Sequence, residues 1–171
     1  MVTLKKTAMI YQIKQKVWNF SKFSILDNNK NEKFIVKGKI FSLVKQFSFR
    51  DPLENELALI KQKIWSWKKR YEIFIDGILH SEIIKEWTWF KMKLTINVVG
   101  EEPYIIKGDF LGYDYQIVRN EETLATISKK VWAWSDTYAV NIFKDENHIP
   151  ILCYCIVIDA ILASRKRASS D

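Results

Sequence analysis

Ile60-Lys61-Gln62-Lys63-Ile64-Trp65 sets apolar residues against lysines with a period of two, the mark of a strand with one buried face and one wet face. The pattern is a β-branched residue, usually a lysine next, two further residues, an apolar residue and an aromatic. It recurs on both sides of this stretch. Before it stand Ile13-Lys14-Gln15-Lys16-Val17-Trp18 and Val36-Lys37-Gly38-Lys39-Ile40-Phe41. After it come Ile84-Lys85-Glu86-Trp87-Thr88-Trp89, Ile106-Lys107-Gly108-Asp109-Phe110-Leu111 and Ile127-Ser128-Lys129-Lys130-Val131-Trp132. The starts lie 23, 24, 24, 22 and 21 residues apart, and the fourth and fifth copies fit least well. Six copies at near-constant spacing imply one structural unit repeated six times.

Each copy carries a second alternating segment after a short break. These are Phe23-Ser24-Ile25, Phe47-Ser48-Phe49, Tyr71-Glu72-Ile73, Leu94-Thr95-Ile96, Tyr115-Gln116-Ile117 and Tyr138-Ala139-Val140. Clusters such as Asp27-Asn28-Asn29, Arg50-Asp51-Pro52 and Asp76-Gly77 separate the units and supply the dihedrals and local hydrogen bonds of tight turns. The unit is therefore strand, turn, strand. Short links make sequential strands pair antiparallel, and twelve such strands lose their exposed edges by closing into a barrel.

A barrel that wide is poorly filled by strand side chains alone. The chain contains a filler in Ile151 to Ala163, apolar nearly all round, as suits a helix buried on every side. Its 13 residues would extend about 20 Å, short of a hydrocarbon core of about 30 Å, and they include Asp159. A lipid-facing barrel is disfavoured because the lysine rows would meet hydrocarbon at about 2–4 kcal/mol each near the midplane. The expected fold is mainly β: a closed twelve-stranded antiparallel barrel of six hairpin repeats around a buried C-terminal helix. One domain accounts for all 171 residues, with the barrel over about 9–143, the helix over about 151–163 and a basic tail at 164–171.

These stretches, in their order and spacing, resemble the LURP-one-related family, which belongs with the tubby C-terminal domain and the phospholipid scramblases. The resemblance is carried by Val36-Lys37-Gly38-Lys39-Ile40-Phe41-Ser42-Leu43, Ile60-Lys61-Gln62-Lys63, Ile127-Ser128-Lys129-Lys130-Val131-Trp132 and Ile156-Val157-Ile158-Asp159, and it runs from about Met9 to Leu162. It implies a twelve-stranded barrel threaded by the C-terminal helix, and it implies no enzyme. Tubby domains bind phosphoinositides and scramblases act on membranes. The Pro-rich arm and calcium-loop motif of scramblases are absent here, which leaves scramblase-like lipid handling as an alternative only.

The residues themselves offer little chemistry. Neither His80 nor His148 belongs to a metal-spaced cluster, and no phosphate loop or nucleophile elbow is present. Cys153 and Cys155 are too close for an ordinary disulfide and read as buried thiols of a reducing compartment. Lys5 and Lys6 are followed by too short an apolar run for a signal peptide. No cofactor, metal or catalytic residue is expected. The expected location is the cytoplasm, with a peripheral place at the inner membrane face.

Charge gives the one asymmetry. In an up-and-down barrel the turns inside units share one rim and the turns between units share the other. The six within-unit segments carry a net charge of +5 and the between-unit segments −8. The overall charge of +7 fits an anionic partner, though lysines also simply solvate a barrel wall, and Asp and Asn are ordinary turn formers. Candidates for binding a lipid headgroup or other anion are Lys68, Lys69, Arg70, Lys91 and Lys93, flanked by Trp67 and Phe90, with Arg165-Lys166-Arg167 following the helix. Asp159 is the carboxylate in the buried helix, and Lys129, like Glu86, occupies a strand position expected to face inward, so an Asp159–Lys129 pair is a candidate. The leading reading is a non-enzymatic module docking on an anionic membrane or a protein partner. The alternative is a nucleic-acid-binding protein, with lysines on phosphate and aromatics stacked on bases.

Overall fold

The computed structural model describes residues 8–15, 22–39, 45–86, 93–109, 112–129, 137–143 and 146–168. The six units supply strands in pairs. They are β1 (Ala8–Gln15) with β2 (Lys22–Leu26), β3 (Glu32–Lys39) with β4 (Gln46–Arg50), and β5 (Glu56–Lys63) with β6 (Arg70–Ile75). Then follow β7 (Ile78–Glu86) with β8 (Lys93–Val98), β9 (Tyr104–Asp109) with β10 (Asp114–Arg119), and β11 (Glu122–Ser128) with β12 (Thr137–Phe143). Every strand pairs antiparallel with its neighbours in sequence, and β1 pairs with β12 from Ala8↔Phe143 to Lys14↔Thr137, which closes the barrel.

One residue of each unit's first strand forms an inner ring: Ile13, Val36, Ile60, Ile83, Ile106 and Ile127 are all buried. The fourth member corrects the sequence reading, which aligned Ile84. Ile83 points inward and Ile84 is only half-buried, so Glu86 lies on the outer face and not the inner one. The register shift at Ile73/Phe74 lies in the preceding pair. Equivalent shifts at Ile25/Leu26, Phe49/Arg50 and Ile117/Val118 fall at the same place in their own units. Such irregularities sharpen the local twist and help a sheet curl shut.

The turns repeat as well as the strands. Asp27 accepts the backbone N–H groups of Asn29 and Asn31, and Asp51 accepts that of Asn55. Lys30 and Glu54 take the positive φ of the corresponding turn position. A two-residue turn, Asp76-Gly77, joins β6 to β7 with both residues at positive φ.

The helix α1 spans His148–Ala168, starting earlier and ending later than the apolar run suggested. Asn147 caps it, its Oδ1 accepting from the N–H of Ile149 at 3.2 Å. Pro150 is thus inside the first turn, where its missing N–H has no helical acceptor to lose. Every residue from Ile151 to Leu162 is buried, so the barrel wall surrounds the helix on all sides.

Candidate functional site

The helix fixes which rim is which. At its start, His148 Nδ1 and Tyr11 Oη are hydrogen-bonded at 2.9 Å, beside the end of the barrel where β1 begins and β12 ends. Near its other end, Lys45 Nζ donates to Ser164 Oγ at 2.6 Å, and Lys45 immediately precedes β4, at the rim of the within-unit turns. The helix therefore leaves at the basic rim. Its last turns run through Arg165, Lys166 and Arg167, whose side chains lie outside the described residues.

The best-defined feature of that rim is the tip between β5 and β6. Ladder pairing ends at Lys63↔Arg70, leaving Ile64 to Lys69 as the turn. Its base is bonded on both flanks: Gln62 N–H donates to Lys45 O at 2.8 Å and Lys85 N–H donates to Lys69 O at 3.0 Å. The tip itself is bare. Ile64 is 52% exposed, Trp65 96% and Trp67 104%, with Lys68 and Lys69 exposed beside them. Trp65 was expected to end a half-buried strand, but the strand stops at Lys63 and the aromatic falls beyond it.

The candidates divide by how they are held. Lys68 and Lys69 form no ion pair among the described residues. Arg70 is half-buried and reaches Glu82 at 3.5 Å across the outer face, which makes it part of the wall. Lys93 is exposed but pairs with Glu86 at 3.3 Å, and Thr95 Oγ1 donates to the other oxygen of that carboxylate. The Lys93 and Thr95 hydrogen bonds hold Glu86 below the usual carboxylate range, and the charge of Lys68 adds to the effect. Lys91 and Phe90 lie outside the described residues.

The second candidate pair shares a cleft, but its two members are held by different partners. Lys129 is exposed, at the end of β11, and its ammonium lies 5.2 Å over the Tyr113 ring. Asp159 is buried and accepts from the Tyr138 hydroxyl at 2.6 Å. Both border one narrow cleft with Gln15, Tyr113, Thr137 and Tyr138. Burial, followed by the nearby Asp159 charge, pushes the Tyr138 hydroxyl well above its ordinary value, so it stays a donor. Burial likewise pushes the Cys153 and Cys155 thiols up, away from the thiolate that a nucleophile needs.

At the opposite rim several carboxylates are occupied. Arg119 lies 2.9 Å from Glu146, 3.5 Å from Glu101 and 3.8 Å from Glu122, and the Tyr104 hydroxyl donates to Glu101 at 2.6 Å. Asp27 and Asp51 serve the turns. Among the described residues no group of His, Cys, Asp and Glu is placed to hold a metal ion, and no helix is long and apolar enough to cross a membrane.

A closed twelve-stranded antiparallel barrel threaded by one C-terminal helix is the tubby-like architecture. The LURP-one-related family profile matches residues 9–159, nearly the whole chain. Uncharacterized protein YxjI of Bacillus subtilis (strain 168) is 33% identical over 151 residues, which cover 88% of this chain and 91% of that protein. The X-ray structure of a protein from Arabidopsis thaliana superposes with a TM-score of 0.71 over 91% of this chain and 92% of that one. At 16% identity that likeness shows the fold alone. The chain belongs to the LURP-one-related family. Membership and fold are consistent with a non-enzymatic binding module.

Proposed function

We propose that the protein is a non-enzymatic docking module whose basic rim rests on the anionic surface of a membrane. The observation that carries this reading is the pair Lys68 and Lys69: exposed, outside any described ion pair, and on the rim where the helix leaves toward Arg165-Lys166-Arg167. On the opposite rim several acidic groups are engaged by turns and by Arg119, so the two ends differ in how their charge is held. Each Lys or Arg close to an anionic bilayer contributes about 1 kcal/mol, and the attraction is screened over about 8 Å at physiological salt.

The test is sedimentation with vesicles containing acidic phospholipid, across a range of salt. The original protein is expected to sediment at low salt and to lose affinity steeply toward physiological salt. The double variant K68E/K69E is expected to lose binding with its melting temperature nearly unchanged, since exposed substitutions shift stability by no more than about 0.5 kcal/mol each. Reversal of Lys14 and Lys107, exposed on the barrel wall, is expected to matter less. Equal loss from rim and wall variants would mean a diffuse solvating coat. No sedimentation of the original protein, with retention of an oligonucleotide or of a protein partner instead, would replace the membrane reading.

A further inference from the structure

We infer that the tip Ile64-Trp65-Ser66-Trp67 is an interfacial wedge that enters the headgroup layer of the bilayer, while Lys68 and Lys69 stay at its phosphates. This deepens the membrane-docking reading and rests on it. Exposed aliphatic residues elsewhere, such as Leu53, Ile78 and Val99, are spread over separate turns of the acidic rim, and scattered exposure of that kind is normal for a protein surface. Among the described residues, only at this tip do three exposed apolar side chains fall within four consecutive residues.

The two tryptophans have almost no contact with their own protein, at 96% and 104% exposure, so their conservative packing explanation fails. The tip is nevertheless held out by structure, because the bonds from Gln62 to Lys45 and from Lys85 to Lys69 tie its base to the strands on either side. A tryptophan pairs a large apolar body with one N–H donor, and it favours the boundary where one side is apolar and the other wet. The adjacent ammonium groups select a negative boundary. A protruding tip also suits a deformable layer better than a preformed protein pocket, and the charge complementarity names which layer.

The experiment compares the original protein, W65S/W67S and K68E/K69E on phosphatidylserine–phosphatidylcholine vesicles, with brominated acyl chains as quenchers of tryptophan fluorescence. The original protein is expected to be quenched on binding. For W65S/W67S the apparent affinity is expected to fall at least about tenfold, the quenching to be lost and the melting temperature to be kept, while the salt dependence of the residual binding is unchanged. K68E/K69E is expected to flatten that salt dependence. Binding of W65S/W67S within about twofold of the original, or equal quenching without those two rings, overturns the wedge and leaves surface docking by charge intact. Failure of the original protein to bind these vesicles at any salt overturns the docking reading and the wedge together.

Discussion

At the scale of single residues, His148 shows how a half-buried ring makes the fold sensitive to acid. Burial lowers its pKa below the ordinary value near 6.5, and His80 is shifted the same way by burial, against an opposing pull from Glu101. Below about pH 6.5 the unfolded chain therefore binds more protons than the folded one, and stability falls as the pH drops. Carboxylates ordinarily titrate near about pH 4, so comparing the protein with a His148 variant between pH 7 and pH 5 reports mainly on that ring. His148→Gln keeps a polar side chain beside Tyr11 Oη, and the loss of melting temperature between pH 7 and pH 5 is expected to shrink. A variant as acid-sensitive as the original would show that His148 protonates without cost in the folded state. Neither this ring nor the Tyr138–Asp159 bond was legible in the sequence. Their partners lie 137 and 21 residues away, and only the closed barrel brings them into contact.

Secondary-structure elements were the most legible level, because a strand's period and a turn's chemistry are both local. Twelve alternating segments and the Asp/Asn turns between them are what the structure contains. Two things escaped that reading. Alternation does not reveal where ladder pairing stops, so Trp65 read as an ordinary strand-end aromatic. Nor does it fix the phase where two β-branched residues stand side by side, so Ile84 stood in for Ile83. Gly108 in β9 illustrates a constraint hidden inside a repeat. Its φ is +124°, and a Cβ there would lie 2.5 Å from the Asp114 carbonyl oxygen on β10. Gly108→Ala is therefore expected to destabilise by at least about 1–3 kcal/mol, the range for backbone strain at a single site. Chemical denaturation checks this, and an unchanged midpoint would mean that β9 and β10 separate freely at that position.

For the molecule as a whole, wall and filler are interdependent. Helix residues from Ile151 to Leu162 form one buried cluster with the inward-facing residues of the barrel strands. Truncation after Pro150 is expected to abolish the cooperative thermal transition followed by circular dichroism. A sharp transition in the truncated chain would show that the strands collapse into a core of their own.

That dependence also orders events in time. The strand that seals the seam, β12, and the helix that fills the lumen are both made after the other eleven strands. At about 5–20 residues per second, a ribosome needs roughly one to four seconds to add the 21 residues of α1. Through that interval the nascent strands have apolar inner faces and nothing to lay them against. The packed core therefore cannot be completed until α1 is made. A chaperone that shields apolar surface is expected to hold the chain through that wait.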